Sequence, residues 1–166
     1  LRAIHHRAED EKTPTLDTPL PFLSFLGLDG SQVLVQGEPA AHWESAVSRE
    51  MAFLLAANPR GLRRDTIIEM LWPDSEPDKG NSLFHSTLYR VRRALGQDVV
   101  VRTSGRYMLN PDLQIYSDAA LFEELAKLAL APAGDAAAAR TQALAIYHEP
   151  YLASCELDWC YQVRER

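Results

Sequence analysis

The sequence predicts an α+β fold: a winged helix-turn-helix with a small N-terminal antiparallel sheet and a C-terminal wing hairpin, followed by the first helices of a TPR-like all-α domain. Three observations carry this. The stretch Asp78–Leu95, DKGNSLFHSTLYRVRRAL, places Phe84, Leu88, Val91 and Leu95 on one apolar stripe of helical period. A shorter helical stretch and an acidic turn precede it, which is helix-turn-helix order. After Gly96 the pattern changes from the helical period to strand alternation, and arginines flank a Thr-Ser-Gly turn.

Leu1 to Pro21 mixes charge with Thr and Pro and has no period, so residues 1–21 read as a linker or tail. His5 and His6 have no nearby partners for a metal. The lack of an initiator Met suggests a piece of a longer chain. Phe22–Leu28 and Gln32–Val35 flank Asp29-Gly30, a hairpin signal, and form a small antiparallel unit that must lean on helices. Trp43–Ala57 is a core helix, with Val47, Met51, Leu54 and Leu55 inward and Ser48, Arg49, Ala52 and Ala56 nearer the outside; Asn58, Pro59 and Gly61 stop it. Arg63–Leu71 is a second helix, with Ile67, Met70 and Leu71 inward and Asp65 in the first turn, where the dipole favours an acid. Trp72-Pro73 halts it.

Asp98–Arg102 and Arg106–Leu109 pair as a hairpin with Val99 and Val101 inward. Leu113–Tyr116 is one more strand. From Ala119 the chain turns alanine-rich, and Phe122, Leu125 and Leu128 recur on one helix face. Asp135 caps Ala136–Tyr147, whose Ala139, Ala143, Leu144 and Tyr147 pack back, as in helical-pair repeats. Glu156–Arg166 begins a third helix. The boundary between winged helix and helical unit falls at 117/118.

Composition narrows the class. The 166 residues are 46% apolar and 24% charged, those of an ordinary globular protein with one large or two small domains. The net charge of -6 is unevenly spread: residues 60–110 carry nine basic and six acidic side chains, whereas the segments on either side are acidic. A local basic footprint suits nucleic acid despite an acidic total. No apolar run reaches a membrane-spanning length. Cys155 and Cys160, five apart on a predicted helix, point to different faces, which speaks against a disulfide framework. No Ser-His-acid set, phosphate loop or metal motif appears, so neither catalysis nor a cofactor is expected; His42 and His148 stand alone beside helix ends.

Several short motifs then recur in a particular order: Phe25-Leu26-Gly27, Leu54-Leu55 with Asn58-Pro59, Leu71-Trp72-Pro73-Asp74, Asn81 with Leu88, and Arg90 through Gly96. Gly105-Arg106-Tyr107, Leu109-Asn110-Pro111, Asp118 with Phe122, and Trp159 with Arg164-Glu165-Arg166 follow. Over residues 22–166 the chain resembles bacterial transcription activators that join a response-regulator-type (OmpR/PhoB-like) winged helix to a bacterial transcriptional activator (BTAD/SARP-like) helical domain. The resemblance implies a cytoplasmic regulator that binds double-stranded DNA at repeated sites, a homodimer on DNA, and a contact with RNA polymerase. It makes Asp78–Leu95 the recognition helix, Thr103–Arg106 the wing tip, and the Trp72–Lys79 loop, with Asp74, Ser75, Glu76 and Lys79, the polymerase contact. Family members usually continue through several more helices.

The residues themselves support part of this. Ser82, His85, Ser86, Tyr89, Arg92 and Arg93 fall opposite the apolar stripe, a face of short donors, an aromatic hydroxyl and guanidinium groups suited to base edges and phosphates. Asn81 either binds a phosphate or helps start the helix. Arg92 or Arg93 alternatively forms a surface salt bridge, and Trp72 seals a helix end. Arg102 and Arg106 reach the backbone or minor groove from the wing. The rival reading is a helical protein-interaction module without a DNA site.

Overall fold

The computed structural model describes residues 22–40, 43–131 and 135–165. The N-terminal tail with His5 and His6, and also His42, the stop at 132–134 and Arg166, lie outside these residues.

Strands β1 (Leu23–Leu26) and β2 (Gln32–Val35) pair antiparallel, Leu23 opposite Val35 and Phe25 opposite Val33, across a turn with Gly30 and Ser31 at positive φ. A two-residue edge strand, β3 (Glu38–Pro39), extends the hairpin. The chain then makes the whole helix-turn-helix and wing before β7 (Ile115–Ser117) returns beside β1, in parallel, giving the order β3-β2-β1-β7. Parallel pairing is what such a long crossover permits.

Helix α1 (Ala46–Ala56) starts later than Trp43 because the Ser45 side chain accepts from the Ser48 N–H and caps it. The expected inward face is too narrow. Ser48, Ala52 and Phe53 are buried along with Met51, Leu54 and Leu55, because α1 meets the Pro77–Leu95 helix and the wing on one side while Phe53 meets Phe25 and Tyr151 on the other. The Ser48 hydroxyl donates to the Ser45 carbonyl at 2.7 Å, so its burial leaves no polar group unpaired.

Strand β4 (Leu62–Arg63), which the periodicity does not announce, leads into α2 (Arg64–Leu71). Helix α3 (Pro77–Leu95) begins with Pro at its first position, where the missing N–H costs nothing. It buries Phe84, Leu88, Val91 and Leu95 as the stripe predicts. Gly96, at φ 121°, ends it, and residues 97–99 form one 3-10 turn before β5 (Val100–Thr103) pairs with β6 (Arg106–Leu109). That turn moves the strand start to Val100, so the inward residues are Val99 and Val100 in place of Val99 and Val101. The wing sheet runs β4-β6-β5.

The Ser117 hydroxyl caps α4 (Asp118–Leu130), and α5 (Ala136–Ile146) packs on it around Leu125, Ala139 and Ala143. Leu128 and Leu144 are 59% and 69% exposed, contrary to the inward placement expected for them. Leu144 lies one residue from Ala143, a turn of about 100° around the helix. Tyr147 meets Phe122, ring centroids 5.5 Å apart, but remains partly exposed. Helix α6 (Asp158–Arg164) begins two residues later than expected. Cys155 therefore precedes the helix, and the expectation that both cysteines lie on one helix is corrected; both are buried.

Tyr151, Leu152, Cys155, Trp159 and Cys160 share the core of β1, α1 and α3. The seam is the turn after β1. The Gly27 and Leu28 N–H groups donate to the two oxygens of buried Asp118 at 2.9 and 2.8 Å. The Leu152 N–H returns to the Gly27 carbonyl at 2.8 Å, and the Gly30 N–H donates to Glu149 Oε1. A Cβ on Gly27 would stand 2.4 Å from the Tyr151 ring, so only glycine fits there.

Candidate nucleic-acid interface

Helix α3 turns its apolar stripe into the core and leaves Ser82, His85, Ser86, Tyr89 and Arg93 in solvent along one row. Tyr89 is 59% exposed, which is unusual for so large a side chain in a structured helix. The hydroxyls of Ser82 and Ser86 donate to the carbonyls of Asp78 and Leu83, at 3.2 and 3.0 Å, which leaves their lone pairs outward as acceptors. His85 stands edge-on to Phe84 with centroids 5.3 Å apart, and this contact orients its ring.

The two arginines near the end of the helix do different things. Arg92 is half-buried, and its Nη2 donates to the Val100 carbonyl at 2.9 Å, tying α3 to the first wing strand. Its Nε is buried and has no hydrogen-bond partner. Arg93 is 65% exposed and pairs with Glu44 Oε1 at 2.8 Å, while Arg90 Nε reaches the other Glu44 oxygen at 3.3 Å. The salt-bridge alternative thus describes Arg93 in the free protein. Glu44 comes from the segment before α1, and the sequence reading of this face did not include it. Nothing local in the sequence links Glu44 to a helix 46 residues away.

The wing stands beside this row. Phe84 packs on Tyr107 of β6 at 4.9 Å, which sets the spacing between helix and hairpin. Arg102 lies over the outer part of the same Tyr107 ring at 5.7 Å, and Arg106 Nη1 donates to the Gly61 carbonyl at 3.0 Å. Both arginines remain exposed, as does the whole turn from Thr103 to Arg106. Tyr107 thus links α3 to the wing, and the sequence reading assigned it no site role.

At the other end of α3, Asp74, Glu76 and Lys79 are exposed while Ser75 and Asn81 are half-buried. Ser75 Oγ and Asn81 Oδ1 are buried atoms without hydrogen-bond partners, and both residues line a cleft of about 260 Å³ with Ile68, Trp72 and Pro77. Trp72 packs on the core, consistent with its sealing role. Asn81 therefore sits at the edge of the row and faces this cleft. Among the described residues no group of three or more His, Cys, Asp and Glu side chains is placed to hold a metal, and no helix is long and apolar enough to cross a membrane.

No family model matches the chain, and no curated protein matches it. Among solved structures it is similar to Mycobacterium tuberculosis EmbR, determined in complex with a low-affinity phosphopeptide, with a TM-score of 0.66 at 20% identity. The match covers 88% of this chain and 41% of the EmbR chain, so this chain spans less than half of EmbR's length. The likeness shows a shared fold: an α+β unit of winged helix-turn-helix form continuing into an all-α helical pair.

Proposed function

We propose that this chain is a sequence-specific, double-stranded DNA-binding transcription regulator of the activator type. Residues 22–117 are the DNA-binding unit and residues 118–166 the start of the helical activator unit. The observation that carries the reading is the solvent row Ser82, His85, Ser86, Tyr89 and Arg93, with an exposed arginine-bearing hairpin held beside it by Arg92 and Phe84. A helix with that row fits a major groove, while Arg102 and Arg106 neutralise phosphates or enter the adjoining minor groove. Arg93 exchanges Glu44 for a phosphate on binding. Arg92 serves as the strut that spaces helix and wing. Copies bind in pairs at repeated sites, in the cytoplasm, and the Asp74–Lys79 loop offers Asp74, Ser75, Glu76 and Lys79 to RNA polymerase.

Selection of random duplex DNA on the protein, followed by titration across salt concentrations, tests this. A motif should emerge, and the double variant Tyr89→Ala, Arg93→Ala should lose it while folding normally. The affinity of the parent should fall with salt, with a slope of about -0.9 per phosphate contacted. Sequence-blind binding unaffected by the double variant would sink the reading and favour the helical interaction module.

A further inference from the structure

Between α2 and the start of α3 lies the cleft of about 260 Å³, walled by Ile68, Trp72, Pro73 and Pro77. It is smaller than the range of about 300–1,000 Å³ usual for small-molecule pockets, and suits a single side chain. Gly80 makes its close packing possible. A Cβ there would stand 2.7 Å from Ile68 Cγ2 and 2.9 Å from Ser75 Oγ, so glycine lets α3 approach α2 and brings Ser75 against the helix. The Ser75 N–H donates to the Trp72 carbonyl at 3.0 Å, which fixes the turn.

Two oxygens of residues lining this cleft, Ser75 Oγ and Asn81 Oδ1, are buried and have no hydrogen-bond partner within the protein. A buried acceptor without a donor is costly, and native proteins pair nearly all such groups. Both oxygens call for donors, beside an indole that offers a flat apolar surface. The rim supplies charge. Asp65 and Glu69 line the cleft, and residues 64–79 carry five acidic and two basic side chains. Asp65 meets Arg64 at 3.1 Å in an exposed pair that solvent screens, and Glu69 forms no ion pair among the described residues.

An arginine side chain has the matching combination. Its guanidinium is a planar, weakly hydrated cation with five donors in a fixed fork, and it stacks on aromatic faces. A lysine ammonium is compact and strongly hydrated, and suits this cleft less well. We propose that the α2–α3 cleft receives one arginine side chain of a protein partner. The guanidinium donates to Ser75 Oγ and Asn81 Oδ1, lies against Trp72, and is balanced by Asp65 and Glu69. That role rests on the reading of the Asp74–Lys79 loop as a polymerase contact, and it names the chemistry that the partner brings. It also gives Asn81, at the edge of the α3 row, a partner other than a phosphate.

The test titrates the whole chain with N-acetyl-arginine methylamide, and with its lysine and citrulline counterparts, at constant ionic strength. Proton–nitrogen correlation spectra read the Trp72 indole N–H and the Asn81 side-chain amide. The arginine compound should shift both saturably and bind about threefold tighter than the lysine compound, while the uncharged citrulline compound should move neither. The double variant Asp65→Asn, Glu69→Gln should weaken arginine binding about threefold, as two screened charges would. Asn81→Leu should abolish the shift at Trp72. No shift, an equal response to the three compounds, or a parent-like response of the double variant would overturn the proposal. The parent and the double variant decide the matter even if Asn81→Leu fails to fold. In transcription from a selected duplex, the double variant should bind DNA as the parent does and lose activation. Activation that survives loss of the arginine site would break the polymerase reading and leave the site standing. A cleft indifferent to arginine, with activation lost in Asp74→Ala, Glu76→Ala, would do the reverse.

Discussion

Helix α1 and the α4–α5 pair are both apolar-rich, yet α1 is buried on nearly every side while the pair leaves Leu128, Leu130 and Leu144 in solvent. The difference lies in their neighbours. Sheet, α3, wing and the 151–160 segment surround α1, and Phe53 joins them at its 5.3 Å edge contact with Phe25 and its 6.2 Å contact with Tyr151. The pair has a buried core of only Leu125, Ala139 and Ala143, and of its remaining apolar residues Ala119 and Phe122 reach the main core. Hydrophobic stabilisation follows area removed from water, so the two regions contribute unequally despite similar composition. The C-terminal segment belongs energetically to the winged helix through Tyr151, Leu152 and Trp159, whereas α4–α5 is joined mainly at Asp118.

The strongest way to break this contrast is Phe53→Ala. It should cost about 3–5 kcal/mol, as for large core aromatics, whereas Leu144→Ala should stay within about 0.5 kcal/mol. Urea unfolding measures both, and equal losses would erase the distinction. Next in size, Gly27→Ala should cost about 1–3 kcal/mol because the added methyl overpacks the seam against Tyr151. An intact urea midpoint would show that the seam yields without strain.

Asp118→Asn should cost about 1–3 kcal/mol, since the amide cannot accept from both the Gly27 and Leu28 N–H groups. The same variant tests a pH dependence. Burial raises the Asp118 carboxyl above its ordinary range, against the pull of N–H bonds from Leu28, Gly27 and Ala119. Between the ordinary and the raised values the native state keeps a proton that the unfolded chain has lost. Its stabilising contribution is therefore complete below the ordinary range and disappears as pH rises through the raised native value. The parent's urea midpoint should show this decline, and the variant's should be flatter there. Smallest of all, Glu44→Gln should free Arg90 and Arg93 and tighten DNA binding by about two- to fivefold, the worth of an exposed ion pair. Fluorescence anisotropy on a selected duplex reads this, and weaker binding would mean that Glu44 orients the arginines productively.

The candidate row on α3 was legible because a surface helix betrays itself by period alone: once Phe84, Leu88, Val91 and Leu95 face inward, Ser82, Ser86, Tyr89 and Arg93 must face out. Side-chain roles were less legible. Arg92 and Arg93 are neighbours of identical chemistry, and only the position of Val100 and of Glu44 separates a strut from an exposed cation. Tyr107 became the link between α3 and the wing by meeting Phe84 and Arg102.

By itself, then, the sequence determined the order of helix, turn, helix and wing, the stop at Gly96, and the alanine interface of Ala139 and Ala143. These depend on periodicity, caps and turn residues, which act over a few neighbouring positions. Only the tertiary structure decided that β7 pairs in parallel with β1, that Ser48 and Ala52 are inside, that Leu144 is outside, and that Cys155 and Cys160 are both buried. Each of those depends on which distant surfaces cover a residue, and burial is a property of the assembled neighbours that no local pattern records.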